Sequence, residues 1–371
     1  MSVCPVNSAP WAPRYELLDG LRGLAALAVV LQHIGIANVG HFAVMVFFVI
    51  SGYCITASAE SCRRNGSGLR DFMSRRVKRI YPPYLLAIVF FALTRAARAA
   101  ADPGNGFKRP VLDWIQNLTL TQWVSDLFHP VHWPVQNAKL FVPAFWSLNY
   151  EEQFYLVMGI SLVVAMSARI PMVIPVLVLG SIGLVWNWLI PGNWICGLFI
   201  EYWVHFALGS CLFYALCQYT TLRYQRFFIA IILVLGFVCA SRLNLRTPNV
   251  LDDLRAMIEL IFLCAVTLAL FFLRPLSKRI STSLLWQPIA ALGTISFSLY
   301  LVHQFNLHLV ASIARHLMPT GSPQALSVIV IVSLHVLLAT VFWYLCERPF
   351  LPRKTESRQK MPTLPDEARI A

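Results

Sequence analysis

The sequence predicts an all-α fold, a polytopic membrane bundle of about ten transmembrane helices with no separate soluble domain. Three observations carry that expectation. Of 371 residues, 58% are hydrophobic and 13% are charged, about half the roughly 25% charged share of soluble domains. The mean hydropathy is +0.64. The apolar residues also fall into long runs, most close to the roughly 20 residues that carry a helix across a hydrocarbon layer.

Ten such runs follow in order, at about 18–37, 41–60, 80–99, 145–166, 170–190, 198–218, 226–240, 254–273, 287–311 and 325–346. Residues 1–14 are polar and contain proline, and are expected to form a cytoplasmic N-terminal segment. The first run holds Arg22 and leads straight into the second, which fits an uncleaved anchor better than a signal peptide. The seventh run is short, and Gly293-Thr294 interrupts the ninth. Residues 351–371 are polar and predict a disordered cytoplasmic tail. The one long loop, about 100–144, carries Trp114, Trp123, Trp133, His129 and His132. Such residues suit either a sugar face or the headgroup region.

The net charge of +13 sits mainly between the apolar runs, where it sets topology. No basic-aromatic pattern points to nucleic acid, so the expected surroundings are membrane lipids. With the N-terminus inside, twenty of the 30 Lys and Arg fall in cytoplasmic segments and nine in outer ones, with Arg22 in the first span. Both termini are therefore expected in the cytoplasm. None of the nine cysteines forms a C-x-x-C pair. They suggest packing residues, neither a metal knuckle nor a disulfide framework.

Ionisable side chains inside a bilayer are costly and each needs a reason. Arg22 and His33 share the first span, roughly 16 Å apart along a helix axis. Asp19 lies one turn before Arg22 and can pair with it. Glu151 and Glu152 open the fourth span near its outer end and need a cavity, a cation or hydrogen-bond donors. His303 falls in the outer half of the ninth span. Glu201, His205 and Glu259 fall at a similar depth, with a spacing that is weak as a metal signal. Arg75, Arg76, Lys78 and Arg79 precede the third span on the cytoplasmic side. They suit either phosphate binding or topology. Arg75 and Arg79 would share a face if that stretch is helical.

These segments together resemble the acyltransferase 3 family. The resemblance covers about residues 15–350 and rests on order and spacing. It includes Leu18-Asp19-Gly20-Leu21-Arg22-Gly23 with His33 in an Arg-x10-His arrangement, Phe47 through Tyr53, and Arg75 through Pro82. Trp146 through Leu156, Ile295 through His303, and Glu347-Arg348-Pro349-Phe350 complete it. Two departures stand out: Gln304-Phe305 replaces the x-Pro usual after the ninth-span histidine, and no appended hydrolase-like domain is expected.

The resemblance implies transfer of an acyl group, commonly acetyl, from cytoplasmic acyl-CoA to a glycan or lipid-linked saccharide at a bacterial inner membrane. Acyl-CoA would be a donor substrate, with no bound cofactor and no metal. It implies catalysis by His33 with Glu151 or Glu152 nearby. It further implies donor binding or organisation by Arg22, Arg75, Arg76 and Arg79; Asp19, one turn from Arg22, and His303, in the ninth span, join them as substrate- or donor-binding candidates. His33 would act as general base, or carry the acyl group itself. A transporter or flippase of an anionic or lipid-linked substrate is the competing expectation, and an inactive scaffold a third. The sequence shows no internal repeat or paired broken helices, the usual pointers to a transporter.

Overall fold

A computed structural model describes residues 15–101, 108–128, 131–132, 140–189, 194–195, 197–241, 250–319 and 321–351. The expected N-terminal segment and nearly all of the expected tail lie outside them. The chain is helical along nearly all of its described length. In order, the helices are α1 (Leu17–His33), α2 (Gly40–Arg64), α3 (Gly68–Ala101), α4 (Val111–Thr119), α5 (Gln122–Phe128), α6 (Trp146–Ser167), α7 (Val173–Leu189) and α8 (Trp203–Phe213). They continue with α9 (Leu222–Ser241), α10 (Val250–Leu273), α11 (Ser277–Ser281), α12 (Trp286–Thr294), α13 (Ser296–Val302), α14 (Leu307–Leu317) and α15 (Gln324–Phe342). Two two-residue strands, Val131–His132 and Trp194–Ile195, pair antiparallel.

Each expected span coincides with a helix or a broken helix. Five described stretches are long and apolar enough to cross a membrane: Gly40–Arg64, Gly68–Ala100, Phe199–Gln218, Met257–Ser281 and Gln324–Phe350. Among the described residues these five meet the length and hydropathy of a crossing, and the expected count of about ten goes beyond them. The ninth run is broken into α12, α13 and α14, with the first break beside Gly293-Thr294. A glycine without a Cβ and a β-branched threonine both weaken a continuous helix there.

One open point is decided and one expectation changes. The basic run, left open as to helicity, is helical and lies in the first half of the 34-residue α3. Arg and Lys are good helix formers, so nothing in the run stops the helix before Pro82-Pro83, which lie inside it. The stretch 100–144 is not one loop, since α4 and α5 occupy part of it, and the Trp114 ring packs edge-on against Phe141 at 4.5 Å. His129 and Trp133 lie outside the described residues.

α2 forms the centre of the bundle, with Met45, Val49, Ile55 and Ala59 almost fully buried. It crosses α8 through glycine. A Cβ added at Gly209 would stand 1.9 Å from the Val49 carbonyl oxygen, and one at Gly52 would stand 2.1 Å from that of Phe206. The crossing of α1 with α12 is equally close, since a Cβ at Gly293 would stand 1.8 Å from the Asp19 carbonyl. Small residues permit such backbone approach in apolar surroundings. Outward, the bundle presents large apolar side chains at helical spacing, among them Leu156, Ile160 and Val163 on α6, and Val89, Phe90 and Leu93 on α3. Stripes of that extent fit a lipid-facing surface.

Candidate functional site

α1, α2, α3, α6 and α13 enclose a cavity of about 740 Å³, a volume that includes its open mouth. Arg22 enters it from α1, Ser51 and Cys54 from α2, and Arg76 and Arg79 from α3. Ser147, Glu151 and Tyr155 enter from α6, and Ser296 and Tyr300 from α13. Phe47, Phe48 and Phe297 supply apolar wall. Three guanidiniums thus share one space with a carboxylate.

The rotation of α3 decides which cations take part. Arg76 and Arg79, one turn apart, face the cavity, while Arg75 is exposed and points elsewhere. The expected shared face of Arg75 and Arg79 is not the cavity face. The Arg76 guanidinium lies over the rings of Phe72 and Tyr155, at 5.9 and 5.8 Å. Arg22 is close enough to Arg79, Glu151 and Asp19 to feel all three charges.

The adjacent acids separate in the same way. Glu151 lines the cavity, and its Oε1 accepts hydrogen bonds from Ser51 Oγ at 3.1 Å and from the Tyr155 hydroxyl at 2.5 Å. Glu152 turns toward α3, where the Tyr81 hydroxyl donates to its Oε1; Oε2 is buried and has no hydrogen-bond partner among the described residues. Among the described residues no hydrogen bond joins either carboxylate to His33.

His33 stands at the C-terminal end of α1, about three turns beyond Arg22. Its Nδ1 lies 2.9 Å from the Val29 carbonyl oxygen and 3.3 Å from His303 Nε2. The two imidazoles meet edge to face, centroids 4.8 Å apart. His303 is fully buried, and its Nδ1 lies 2.8 Å from the Tyr300 carbonyl oxygen. Tyr300 links this pair to the cavity, since it lines the cavity wall and its ring centroid is 5.9 Å from that of His303. The Tyr300 hydroxyl donates to the Ala144 carbonyl and accepts from Ser147 Oγ at 2.7 Å. Gln304, the departure after the ninth-run histidine, receives the Ala144 backbone N–H on Oε1 at 2.6 Å. It therefore fixes the entry of α6 against α13.

Of two further acidic sites, sequence reasoning did not single out the first and read the second only as ionisable groups at one depth that suggest an outward-open polar pocket. Glu347, in the Glu347-Arg348-Pro349-Phe350 segment, is buried and accepts from Ser298 Oγ at 2.5 Å, close to Arg79 and Arg22. Its position just past a long apolar run was the available signal. The second is a three-member cluster. Glu259 Oε2 lies 2.9 Å from His41 Nε2, and its Oε1 lies 3.0 Å from His205 Nε2. Beside it the Tyr150 hydroxyl donates to Glu201 Oε2 at 2.6 Å. Glu201, His205 and Glu259 were expected at one depth; His41, one residue into its helix, carried no separate signal. Phe48 lies between this cluster and the cavity, its ring 6.4 Å from His205.

A family model described as an acyltransferase domain matches residues 15–347. The chain is 26% identical over 377 residues to YrhL of Bacillus subtilis (strain 168), whose name places it provisionally among peptidoglycan O-acetyltransferases. That match covers 90% of this chain and 54% of YrhL. It is 32% identical over 154 residues to O-acetyltransferase OatA of Staphylococcus aureus (strain NCTC 8325 / PS 47), covering 39% of this chain and 24% of OatA. An uncharacterized Haemophilus influenzae protein is 30% identical over 126 residues, 32% of this chain and 48% of that protein. The chain thus spans about half the length of YrhL and aligns with about a quarter of OatA. No solved structure matches it.

Proposed function

The chain belongs to the acyltransferase 3 family, and from that premise we propose that it moves an acetyl group from acetyl-CoA to a hydroxyl of a glycan outside the cytoplasm. The observation that carries this reading is the cavity in which Arg22, Arg76 and Arg79 share one space, with His33 beyond its Tyr300 wall. Coenzyme A carries a pyrophosphate and a 3′-phosphate, anions that planar guanidinium groups bind in bidentate fashion. The donor phosphates lie at the arginine end, and the thin pantetheine arm carries the thioester toward His33. His33 removes the proton of the acceptor hydroxyl, because a neutral imidazole carries a nitrogen lone pair that can accept it. Glu151 and Glu347 hold the arginines against mutual repulsion. The name of YrhL makes peptidoglycan the first acceptor to test, beside exopolysaccharide and O-antigen units.

Calorimetric titration of acetyl-CoA into purified protein tests the donor site. Arg76→Ala and Arg79→Ala each lose a charged hydrogen-bonding partner, about 1.5–3 kcal/mol, or about 10- to 150-fold in Kd. Arg75→Ala, on the exposed face, loses less than about threefold, in line with the small worth of surface charges. Unchanged dissociation constants for both Arg76→Ala and Arg79→Ala would sink the donor site.

A further inference from the structure

The geometry points to His303 as a positioning residue that holds the proton of His33 on Nδ1 and leaves Nε2 as the nitrogen that takes the acceptor's proton. This inference rests on the acyl-transfer reading for its chemistry, though not for its geometry. A backbone carbonyl can only accept a hydrogen bond. His303 Nδ1, 2.8 Å from the Tyr300 carbonyl oxygen, therefore carries a hydrogen, and the lone pair of the neutral ring lies on Nε2. That lone pair faces His33 Nδ1 at 3.3 Å. His33 Nδ1 also faces the Val29 carbonyl oxygen at 2.9 Å. Both neighbours of His33 Nδ1 are acceptors, so this nitrogen carries the hydrogen, and the lone pair of neutral His33 is on Nε2.

His303 is fully buried and acts through His33. It is the same logic by which a hydrogen bond to one ring nitrogen sets what the other can do. In the transfer, the acceptor oxygen bonds to the thioester carbonyl carbon while Nε2 takes the hydroxyl proton. The C–S bond then breaks, and the departing thiolate takes that proton from Nε2. The ester and free coenzyme A balance the reactants, and the Nδ1 hydrogen never leaves.

Two measurements test this. The first is solid-state NMR of protein carrying ring-labelled histidine in bilayers at alkaline pH, with the His33 signals assigned by their loss in His33→Gln. The Nδ1–H tautomer is expected; an Nε2–H tautomer would overturn the proposal. The reading needs no turnover, so it stands apart from any failure to detect acetyl transfer, which would count against the proposed function instead. The second is kinetics. His303→Gln places an amide oxygen near the lost Nε2, whereas His303→Leu keeps volume without an acceptor. We expect His303→Leu to lower kcat by about 10- to 100-fold, part of the ~10²–10⁴-fold that acid–base catalysis supplies. His303→Gln should recover most of it, with KM for acetyl-CoA unchanged in both. A role in packing alone favours the apolar side chain, so turnover in His303→Leu matching that of His303→Gln would also overturn the proposal.

Discussion

Successive residues on a helix point about 100° apart, as its 3.6-residue turn requires, so Glu151 and Glu152 cannot both face one space. The sequence made both visible, because carboxylates near the outer end of an apolar run demand partners. It could not choose between them, since the choice depends on which side α6 turns toward α2 and which toward α3. Packing makes that choice: Ser51 of α2 donates to Glu151, and Tyr81 of α3 donates to Glu152. The same limit applied to Arg75 and Arg76, and His41 stayed unread until α8 and α10 brought His205 and Glu259 beside it. A pair of substitutions measures the split. Glu151→Gln removes the charge facing Arg22 and is expected to lower kcat/KM by about 10-fold or more, the worth of one charge-assisted hydrogen bond. Glu152→Gln keeps an oxygen for the Tyr81 hydroxyl and is expected to lose clearly less. Acetyl transfer assayed at subsaturating donor compares them, and equal losses would contradict the assignment.

Among elements, those defined by long apolar runs were the most legible, and those defined by tertiary contact the least. The break in the ninth run was readable from Gly293-Thr294, yet nothing local showed that Gly293 also lets α12 lie against the Asp19 carbonyl of α1. The helix through Arg75–Arg79 went unassigned because charge hides the start of a helix from a search for apolar runs. The α2–α8 crossing offers the sharpest test at this scale. Gly209→Val would drive a side chain into a carbonyl that Gly209 now approaches closely. Overpacking of this kind costs typically ~1–3 kcal/mol, and more where backbone must move. Thermal unfolding in detergent should show a clearly lower midpoint with reduced recovery of folded protein. A midpoint equal to wild type would mean that the two helices are less closely joined than described.

At the scale of the whole molecule, the contacts give relative helix directions. Gly23 approaches Gly293 while His33 meets His303, so α1 and α12–α13 run the same way. Ser51 meets Glu151 and Phe48 meets Trp146, so α2 and α6 also agree in direction. Arg76 meets Tyr155 while Tyr84 meets Phe145, so α3 opposes α6. These directions match the in-and-out alternation read from the charge count, which alone assigns a side. A cysteine introduced at position 112, in α4, should react with an impermeant thiol reagent added from outside, and one introduced at position 66 should not; reversed labelling would invert the proposed donor side. Tyr300 has a further consequence for the cell. Under the proposed function, a bundle that takes a charged donor from one face and a sugar from the other would carry the liability of a pore, and an ion leak would drain the gradients on which the cell runs. Tyr300, held by Ala144 and Ser147 between the arginine cavity and the histidine pair, stands where one aromatic ring would close such a path under the proposed reading.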